Sequence, residues 1–429
     1  MKLSFTNIAK FQSADVEIRG ITLIAGTNST GKSTISKVLY SVFSGFYAID
    51  SFPETTWVNG LDDRLRIFAR NRRPPAAIPR DLLSGRRDIH EVAQKLFSAR
   101  GDDVEFQRLV SDWANDLSAV SSPVLKTDIE DLVQKLKDVL SVTEEDLRKF
   151  KFTEKFYREF DGQVANISGK EGASVTLTVK DSMFSVQIDR EGQVVKLNAP
   201  SALTNRVVYV DDPDVLSPKT QYRWESIRRP GYIRILDHRA ELQELLLSED
   251  QDVFDRILGN QKLRRVLEKI NALCNGQLVL RETGFKYQEN GLPDDIEPSN
   301  ISAGLKTFLI LKRLLGNGAI HQKGMIILDE PEVHLHPQWQ LVFAEILVLL
   351  QKEYDLHVLM ASHSPYFIRA LQVFSQKHGV GDKVKLYKTS AVDGVFRVED
   401  VTGSPNKIYN DLAAPLQDLD DEQYSDDNE

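Results

Sequence analysis

Apolar residues recur along the chain with two different periods. Leu3 and Phe5 alternate with polar neighbours, and after a turn around Ser13-Ala14-Asp15 comes VEIRGITLIAG, so residues 3–24 read as two short strands. The segment 22–25 is apolar enough for a buried strand. It runs into GTNSTGKS and then into 34–43, where Ile35, Val38, Leu39 and Val42 lie three and four apart, one face of a helix. Helical spacing dominates 50–165, broken by Pro74-Pro75 and Pro123 and without a regular repeat. Within it Ile129, Leu132, Val133, Leu136, Val139 and Leu140 mark one amphipathic helix, too short for sustained heptads. From 174 to 197 the period switches to two: SVTLTVK, MFSVQID and QVVKLN, separated by Asp181-Ser182 and Glu191-Gly192, predict an antiparallel meander.

RVVYV (206–210) is a short strand, 237–273 is helical, and QLVLRETGFKYQ (277–288) reads as a hairpin. A helix starts at Ser302 and ends at Gly316-Asn317-Gly318. Strands at 325–328 and 356–361 flank the apolar helix WQLVFAEILVLLQK, an alternation that implies a parallel sheet with right-handed crossovers. The last stretch, DLDDEQYSDDNE, is acidic with little to bury, and a disordered tail is expected over 416–429.

Composition narrows the class only modestly. The 429 residues leave room for two or three lobes, and 41% hydrophobic with 27% charged residues is ordinary for a soluble globular protein. A net charge of −9 argues against coating nucleic acid with the whole surface, but not against a local basic patch. Such a patch lies in 61–100, where nine arginines and one lysine stand against five acidic residues. The single cysteine, Cys274, excludes an intramolecular disulfide and fits a reducing cytoplasm. MKLSFTNIAKF lacks the apolar core of a signal peptide, and no apolar run approaches the roughly 18–20 residues that span a bilayer. A cytoplasmic protein without a membrane partner is expected.

The chemistry concentrates in four places. Gly26-Thr27-Asn28-Ser29-Thr30-Gly31-Lys32-Ser33 fits G-x-x-x-x-G-K-[ST] at every fixed position, between an apolar strand and an amphipathic helix. The glycines let successive N–H groups point at phosphate oxygens, the helix N-terminus at Ser33-Thr34 adds positive potential, Lys32 reaches the β and γ phosphates, and Ser33 ligates magnesium. LDEPEVHLHP (328–337) puts three carboxylates and two histidines within ten positions. With a phosphate loop present, Asp329 at the end of an apolar strand is the natural magnesium carboxylate. Glu330, one residue on and therefore facing the other side of the strand, is placed as general base. The competing reading, a zinc site at His334-x-His336, lacks the helical H-E-x-x-H spacing and a further ligand nearby. Those histidines instead belong to a loop at a subunit contact or cap the helix after Pro337. Ser302-Ala303-Gly304 starts a helix with a glycine that lets a phosphate approach the backbone, or is simply a helix cap. His363, in SHSP at the C-terminal edge of the sheet where ligands of open α/β sheets bind, is a candidate γ-phosphate sensor or a structural histidine.

With these four elements in this order, the chain resembles the ABC-type ATPases, and within them the prokaryotic overcoming-lysogenisation-defect (OLD) and recombination-mediator-like branch, including ATPase subunits of anti-phage defence systems of the Septu and retron-associated kind. The resemblance rests on GTNSTGKS, NISAGLK, ILDEPEVHLHP, ASHSP and NKIYNDLAAPLQDL, in the first 45 residues and about 200–415. It implies an α/β fold: an ABC-type P-loop ATPase head, with a mixed sheet, flanking helices and an antiparallel β subdomain, plus a mainly helical insertion. Residues 1–49 and 166–415 would make the head, and 50–165 the arginine-rich insertion. The cofactors implied are ATP and Mg2+. Gly26, Asn28, Ser29, Thr30, Gly31, Lys32, Ser33 and Thr34 would hold the nucleotide, Ser33 and Asp329 the metal, and Lys32, Glu330 and His363 the chemistry. Ser302, Ala303 and Gly304 would act in trans, so ATP would bind across a head-to-head homodimer from which a higher oligomer can be built. Ala303 stands where transporters usually have glycine, which favours the soluble branch. The glutamine that couples nucleotide state to the middle of such molecules is not placed; the segment after Val210 is where it is expected.

After His363 the sole Asp-x-Asp, Asp418-Leu419-Asp420, falls in the acidic last stretch, so a topoisomerase–primase-like nuclease is not read there, and there is no HNH-like or Cys/His constellation. An ATPase without a nuclease domain of its own, gating a separate effector protein, is therefore the leading expectation. The alternative is a DNA-binding repair or recombination ATPase. Its support is the basic segment, with Arg70, Arg72, Arg73, Arg86 and Arg87 as candidate contacts, since such side chains neutralise phosphates and release counterions. Against it, those arginines can pair with acidic neighbours or form a protein-binding face. A transporter's nucleotide-binding subunit fits poorly, given the long separation between Lys32 and Ser302.

Overall fold

A computed structural model describes residues 1–72, 86–118, 123–216, 235–248, 263–282 and 284–426. By contacts the chain divides into two units. The larger is Met1–Tyr47, Phe152–Trp224 and Leu236–Glu429, and the smaller is Ala48–Lys151 with Glu225–Ile235.

The larger unit is built on one mixed sheet of eleven strands. Its centre consists of runs that are apolar on both faces. β3 (Ile21–Ala25) and β10 (Met325–Asp329) are buried at every position, as strands covered by helices on both sides must be. β3 pairs in parallel with β11 (His357–Ser362), β11 with β10, and β10 with β7 (Val207–Val210). On its other side β3 pairs in parallel with β12 (Val384–Val392). α1 (Lys32–Phe46) follows β3, α9 (Ala303–Gly316) precedes β10, α10 (Pro337–Tyr354) connects β10 to β11, and α11 (Pro365–Lys377) follows β11. β1 (Lys2–Ile8), β2 (Phe11–Glu17), β4 (Ala173–Val179), β5 (Ser182–Ile188) and β6 (Val194–Asn198) form the antiparallel wing. The last three are the meander that the period-two pattern predicts. β8 (Gly276–Arg281) and β9 (Gly284–Glu289) make the expected hairpin as a separate two-stranded sheet. Helices α7 (His238–Leu247) and α8 (Arg264–Leu273) lie in the stretch read as helical.

Three features depart from the sequence reading. β12 is followed by β13 (Val395–Asp400) in a hairpin that the pattern analysis leaves unassigned, turning at Asp393-Gly394 with both residues at positive φ. The 50–165 stretch is divided inside α6 (Glu144–Phe160), because Phe152 and Phe156 are fully buried in the larger unit. There Phe152 lies 4.5 Å from the Phe46 ring, which in turn lies 4.9 Å from Phe184. Finally, the segment expected to be disordered from 416 continues α12 (Asn406–Asp426) up to Asp426. Its acidic residues are interleaved with helix-permissive Leu, Gln and Glu, so low hydrophobicity there does not prevent a helix.

The smaller unit packs α2 (Phe52–Arg70), α3 (Arg86–Ser98), α4 (Asp103–Ser118) and α5 (Lys126–Ser141) around Leu61, Leu65, Leu96, Val110, Leu132 and Leu136. Among the described residues no helix is long and apolar enough to cross a membrane.

Candidate nucleotide-binding site

β3 delivers the chain to Gly26, and α1 begins at Lys32 behind Gly31 at φ +91°. Both loop glycines are required by what packs on them. A Cβ at Gly26 would lie 2.4 Å from the Thr389 hydroxyl, and one at Gly31 would lie 2.5 Å from Phe396 and 2.6 Å from Phe11. Thr389 of β12 also shares a hydrogen bond of 2.7 Å with Thr30, whose hydroxyl is 2.8 Å from Thr27 O. The unpredicted hairpin is thus the wall that shapes the loop. Its Asp-Gly turn is the sequence signal that would have revealed it.

The Lys32 side chain is only 4% exposed, and its ammonium donates to Gly26 O at 3.1 Å and Thr27 O at 3.0 Å. It lies 3.4 Å from a Glu330 carboxylate oxygen, whose other close neighbour is His363 Nδ1 at 3.3 Å. The three residues assigned to the chemistry therefore converge, although they come from α1, the end of β10 and the end of β11. The reason Glu330 reaches this point differs from the one expected. It does not continue the strand alternation: β10 ends at Asp329, and Glu330 has φ +48° with its N–H bonded to Ala361 O at 2.9 Å. A left-handed non-glycine residue costs about 1–3 kcal/mol, a strain that the neighbouring strand holds in place.

Asp329 is buried, and one of its oxygens accepts from the Tyr209 hydroxyl at 3.2 Å. The other, Oδ1, is buried without a hydrogen-bond partner among the described residues. Burial pushes the carboxyl up from its ordinary range, against the Ser33 and Tyr209 hydroxyls that stabilise its charge. A buried carboxylate oxygen left over beside a serine hydroxyl at the end of a phosphate loop is a donor set that fits magnesium. The residues present therefore fit the metal that this class of site uses.

Tyr209 belongs to a buried ionic cluster. Its ring stacks on His238 with centroids 4.3 Å apart. His238 Nδ1 lies 2.7 Å from Glu159 Oε2, and Nε2 lies 3.0 Å from Asp211 Oδ2, which also pairs with Arg239 at 2.6 Å. Burial would lower the imidazole pKa, but hydrogen bonds to Asp211 and Glu159 overcome it and raise it to about 9. Because this folded value exceeds the ordinary 6.5, the stabilisation is fully present below pH 6.5 and is lost as pH rises through about 9. The shift corresponds to about 3 kcal/mol. The expected result is a melting temperature that falls by several degrees between pH 6.5 and 9.5 relative to His238→Gln; parallel curves for the two proteins would contradict it.

Glu332, the third acid of DEPE, is 2% exposed. Its Oε1 accepts from the Ser362 hydroxyl and from the backbone N–H groups of His363 at 3.1 Å and Ser364 at 3.3 Å. It clamps the loop that carries His363. Glu332→Ala would leave two donors unpaired, the Ser362 hydroxyl and the His363 N–H, at about 1–3 kcal/mol each, while the Ser364 N–H keeps its bond to the Ser362 hydroxyl at 3.1 Å. A lower melting temperature with a fall in kcat is expected, against little change in ATP affinity; a variant with wild-type stability and turnover would contradict the clamp. His336 caps α10, its ring accepting from Gln338 N, which is the second role foreseen for that histidine.

Ser302 caps α9 by accepting from Leu305 N at 3.3 Å. A Cβ at Gly304 would approach His334 O to 2.8 Å, so this glycine admits the loop of residues 332–336 within the same chain. Ser302, Ala303 and Gly304 share no hydrogen bond or ion pair with the Gly26–Thr34 loop among the described residues. Of the basic candidates, Arg70 is exposed, whereas Arg72 pairs with Asp128 at 2.8 Å and covers the Phe68 ring at 3.7 Å. Arg73 lies outside the described residues, as do the side chains of Arg86 and Arg87 on α3. Thr389, Phe396, Tyr209, His238, Glu159 and Glu332 are the site residues that the sequence reading missed.

A strand–glycine loop–helix with a buried lysine, an acidic pair at the end of the parallel strand two places away, and a histidine just past the strand between them define a P-loop ATPase of the AAA type. The chain belongs to the family described as "AAA domain, putative AbiEii toxin, Type IV TA system", whose model matches residues 125–369. Among solved structures it is similar to the SMC head domain from Thermotoga maritima, at 14% identity over 93% of this chain and 98% of that one, with a TM-score of 0.38. It is also similar to an Smc head domain with an extended coiled coil, bound to the C-terminal domain of ScpA derived from Pyrococcus furiosus, at 11% identity, 98% of each chain and a TM-score of 0.40. A third is the ADP conformation of an ATP-binding cassette of an ABC transporter, at 12% identity over 97% of this chain and 96% of that one, with a TM-score of 0.34. No curated protein matches the sequence.

Proposed function

We propose that the protein is an ATP-driven switch that dimerises on ATP, opens on hydrolysis and gates a separate effector in prokaryotic anti-phage defence. The observation that carries the ATPase part is the convergence of Lys32, Glu330 and His363, with Glu330 3.4 Å from the lysine and 3.3 Å from the histidine. In this reading the Gly26–Thr34 N–H groups hold the phosphates. Ser33 and Asp329 hold magnesium, which screens the phosphate charge when bound. Glu330 takes a proton from the attacking water, and His363 contacts the γ-phosphate. Ser302, Ala303 and Gly304 of one copy close over the nucleotide of the other. Supporting the last point, Ser302 caps a helix whose N-terminal N–H groups suit an anion.

The defence role rests on the sequence resemblance and on the family description, which names a putative toxin. The repair alternative is weaker, because Arg72 is already engaged by Asp128 and Phe68. A tagged Glu330→Gln protein, pulled from its native host with ATP and Mg2+ and treated with nuclease, separates the two. A stoichiometric protein that survives DNA digestion supports the gating role. Nucleic acid with no such protein favours a DNA-repair clamp.

A further inference from the structure

The buried cluster behind Asp329 has no role in the steps above. It is expensive to build, since each buried charge must find a partner. Lys155 and Glu159 stand one turn apart on α6 and are 4% and 2% exposed. The Lys155 ammonium donates to Tyr40 of α1 at 3.0 Å, Glu241 of α7 at 2.9 Å and Leu236 O at 2.8 Å. Glu159 holds His238 twice, through the backbone N–H at 2.8 Å and through Nδ1 at 2.7 Å. His238 lies flat on Tyr209, and Tyr209 donates its hydroxyl to Asp329.

We propose that Tyr209, His238 and Glu159 are positioning residues for the magnesium carboxylate, a chain of contacts that runs from α6 through an imidazolium and a phenol to one oxygen of Asp329. This deepens the reading of Asp329 as a metal ligand and rests on it. Three features carry the chain of contacts. The phenol needs an acceptor once buried, and it spends its hydroxyl on the one carboxylate assigned to the metal. That bond engages Oδ2 and leaves Oδ1 buried without a partner among the described residues, which is the division of labour a metal-ligating carboxylate requires. The ring is fixed in turn by a cation on its face, and the cation is fixed by carboxylates at both nitrogens. α6 begins, in sequence, in the smaller unit and ends in this cluster.

The test uses the full chain saturated with a non-hydrolysable ATP analogue. Mn2+ affinity is read from the loss of the free-ion EPR signal and corrected for the analogue alone. The affinity for a fluorescent ATP derivative in EDTA is read in parallel. Tyr209→Phe keeps the ring and its stack and removes only the hydroxyl. It should weaken Mn2+ by about 10–100-fold, the usual effect of losing a partner that orients a ligand, and leave the EDTA value unchanged. Glu159→Gln should shift Mn2+ in the same direction. Asp329→Asn, run beside them, separates the two levels of the claim. If it weakens Mn2+ while Tyr209→Phe does not, the positioning chain is overturned and the metal reading stands. If Asp329→Asn leaves Mn2+ affinity at the wild-type value, the metal reading itself falls and the positioning chain with it. A purely structural role would lower both affinities together in Tyr209→Phe, which also overturns the proposal.

Discussion

Lys32→Ala is expected to abolish nucleotide binding, with the dissociation constant for ATP rising at least about 100-fold and turnover falling to background. The lysine is held ready: its ammonium is buried and bonded to two carbonyls of its own loop, Gly26 O and Thr27 O. It therefore loses little freedom when it exchanges those carbonyls for phosphate oxygens. Hydrogen bonds to charged groups contribute about 1.5–3 kcal/mol each, so losing two of them accounts for an effect of that size. Alanine fits the space and the helical backbone at this first position of α1, so the fold should persist. Calorimetric titration with ATP and Mg2+, beside a circular dichroism spectrum, reads both. An affinity within threefold of wild type would remove Lys32 from the phosphate site.

Glu330→Gln is the second large effect and has the opposite character. Binding should survive and hydrolysis should stop, with kcat down by about 100- to 10,000-fold, the range over which a positioned general base contributes. The amide retains the shape of the carboxylate and the left-handed backbone that orients it. It loses the capacity to take a proton. Because the carboxylate stands 3.4 Å from Lys32 and 3.3 Å from His363, its replacement also removes a negative charge from the neighbourhood of the phosphates. ATP affinity should hold or improve. A steady-state phosphate-release assay at saturating ATP, with binding measured separately, checks both halves, and a variant that turns over at the wild-type rate would show that the base lies elsewhere.

The parts of this molecule that were legible in the sequence are those encoded locally. The phosphate loop is eight consecutive residues with its flanking strand and helix, and 22–25 and 325–328 read as strands because a central parallel strand is apolar on both faces. Ser302 announced a helix start by type and position, and it caps α9. What stayed hidden depends on topology. Thr389 and Phe396 press on Gly26 and Gly31 from hundreds of positions downstream, and only the placement of β12 beside β3 brings them there. Tyr209, His238 and Glu159 each satisfy a bland reading alone, an apolar strand residue and two helix residues; their meaning arises when β7, α7 and α6 meet. Glu330 was picked out by a strand geometry that the fold does not have. Strand alternation would have turned it away from Asp329, whereas a left-handed residue beyond the strand end, bonded to Ala361 O, sets its direction.

The measurement that tests the central claim most directly is the solution mass of the Glu330→Gln protein by light scattering on a sizing column, with and without ATP and Mg2+. An ATP site completed by the Ser302–Gly304 helix of a second copy predicts a mass that doubles with ATP, and a doubling that Ser302→Arg abolishes without loss of ATP binding. A mass that ATP leaves unchanged, in protein shown to be loaded with nucleotide, would contradict the switch.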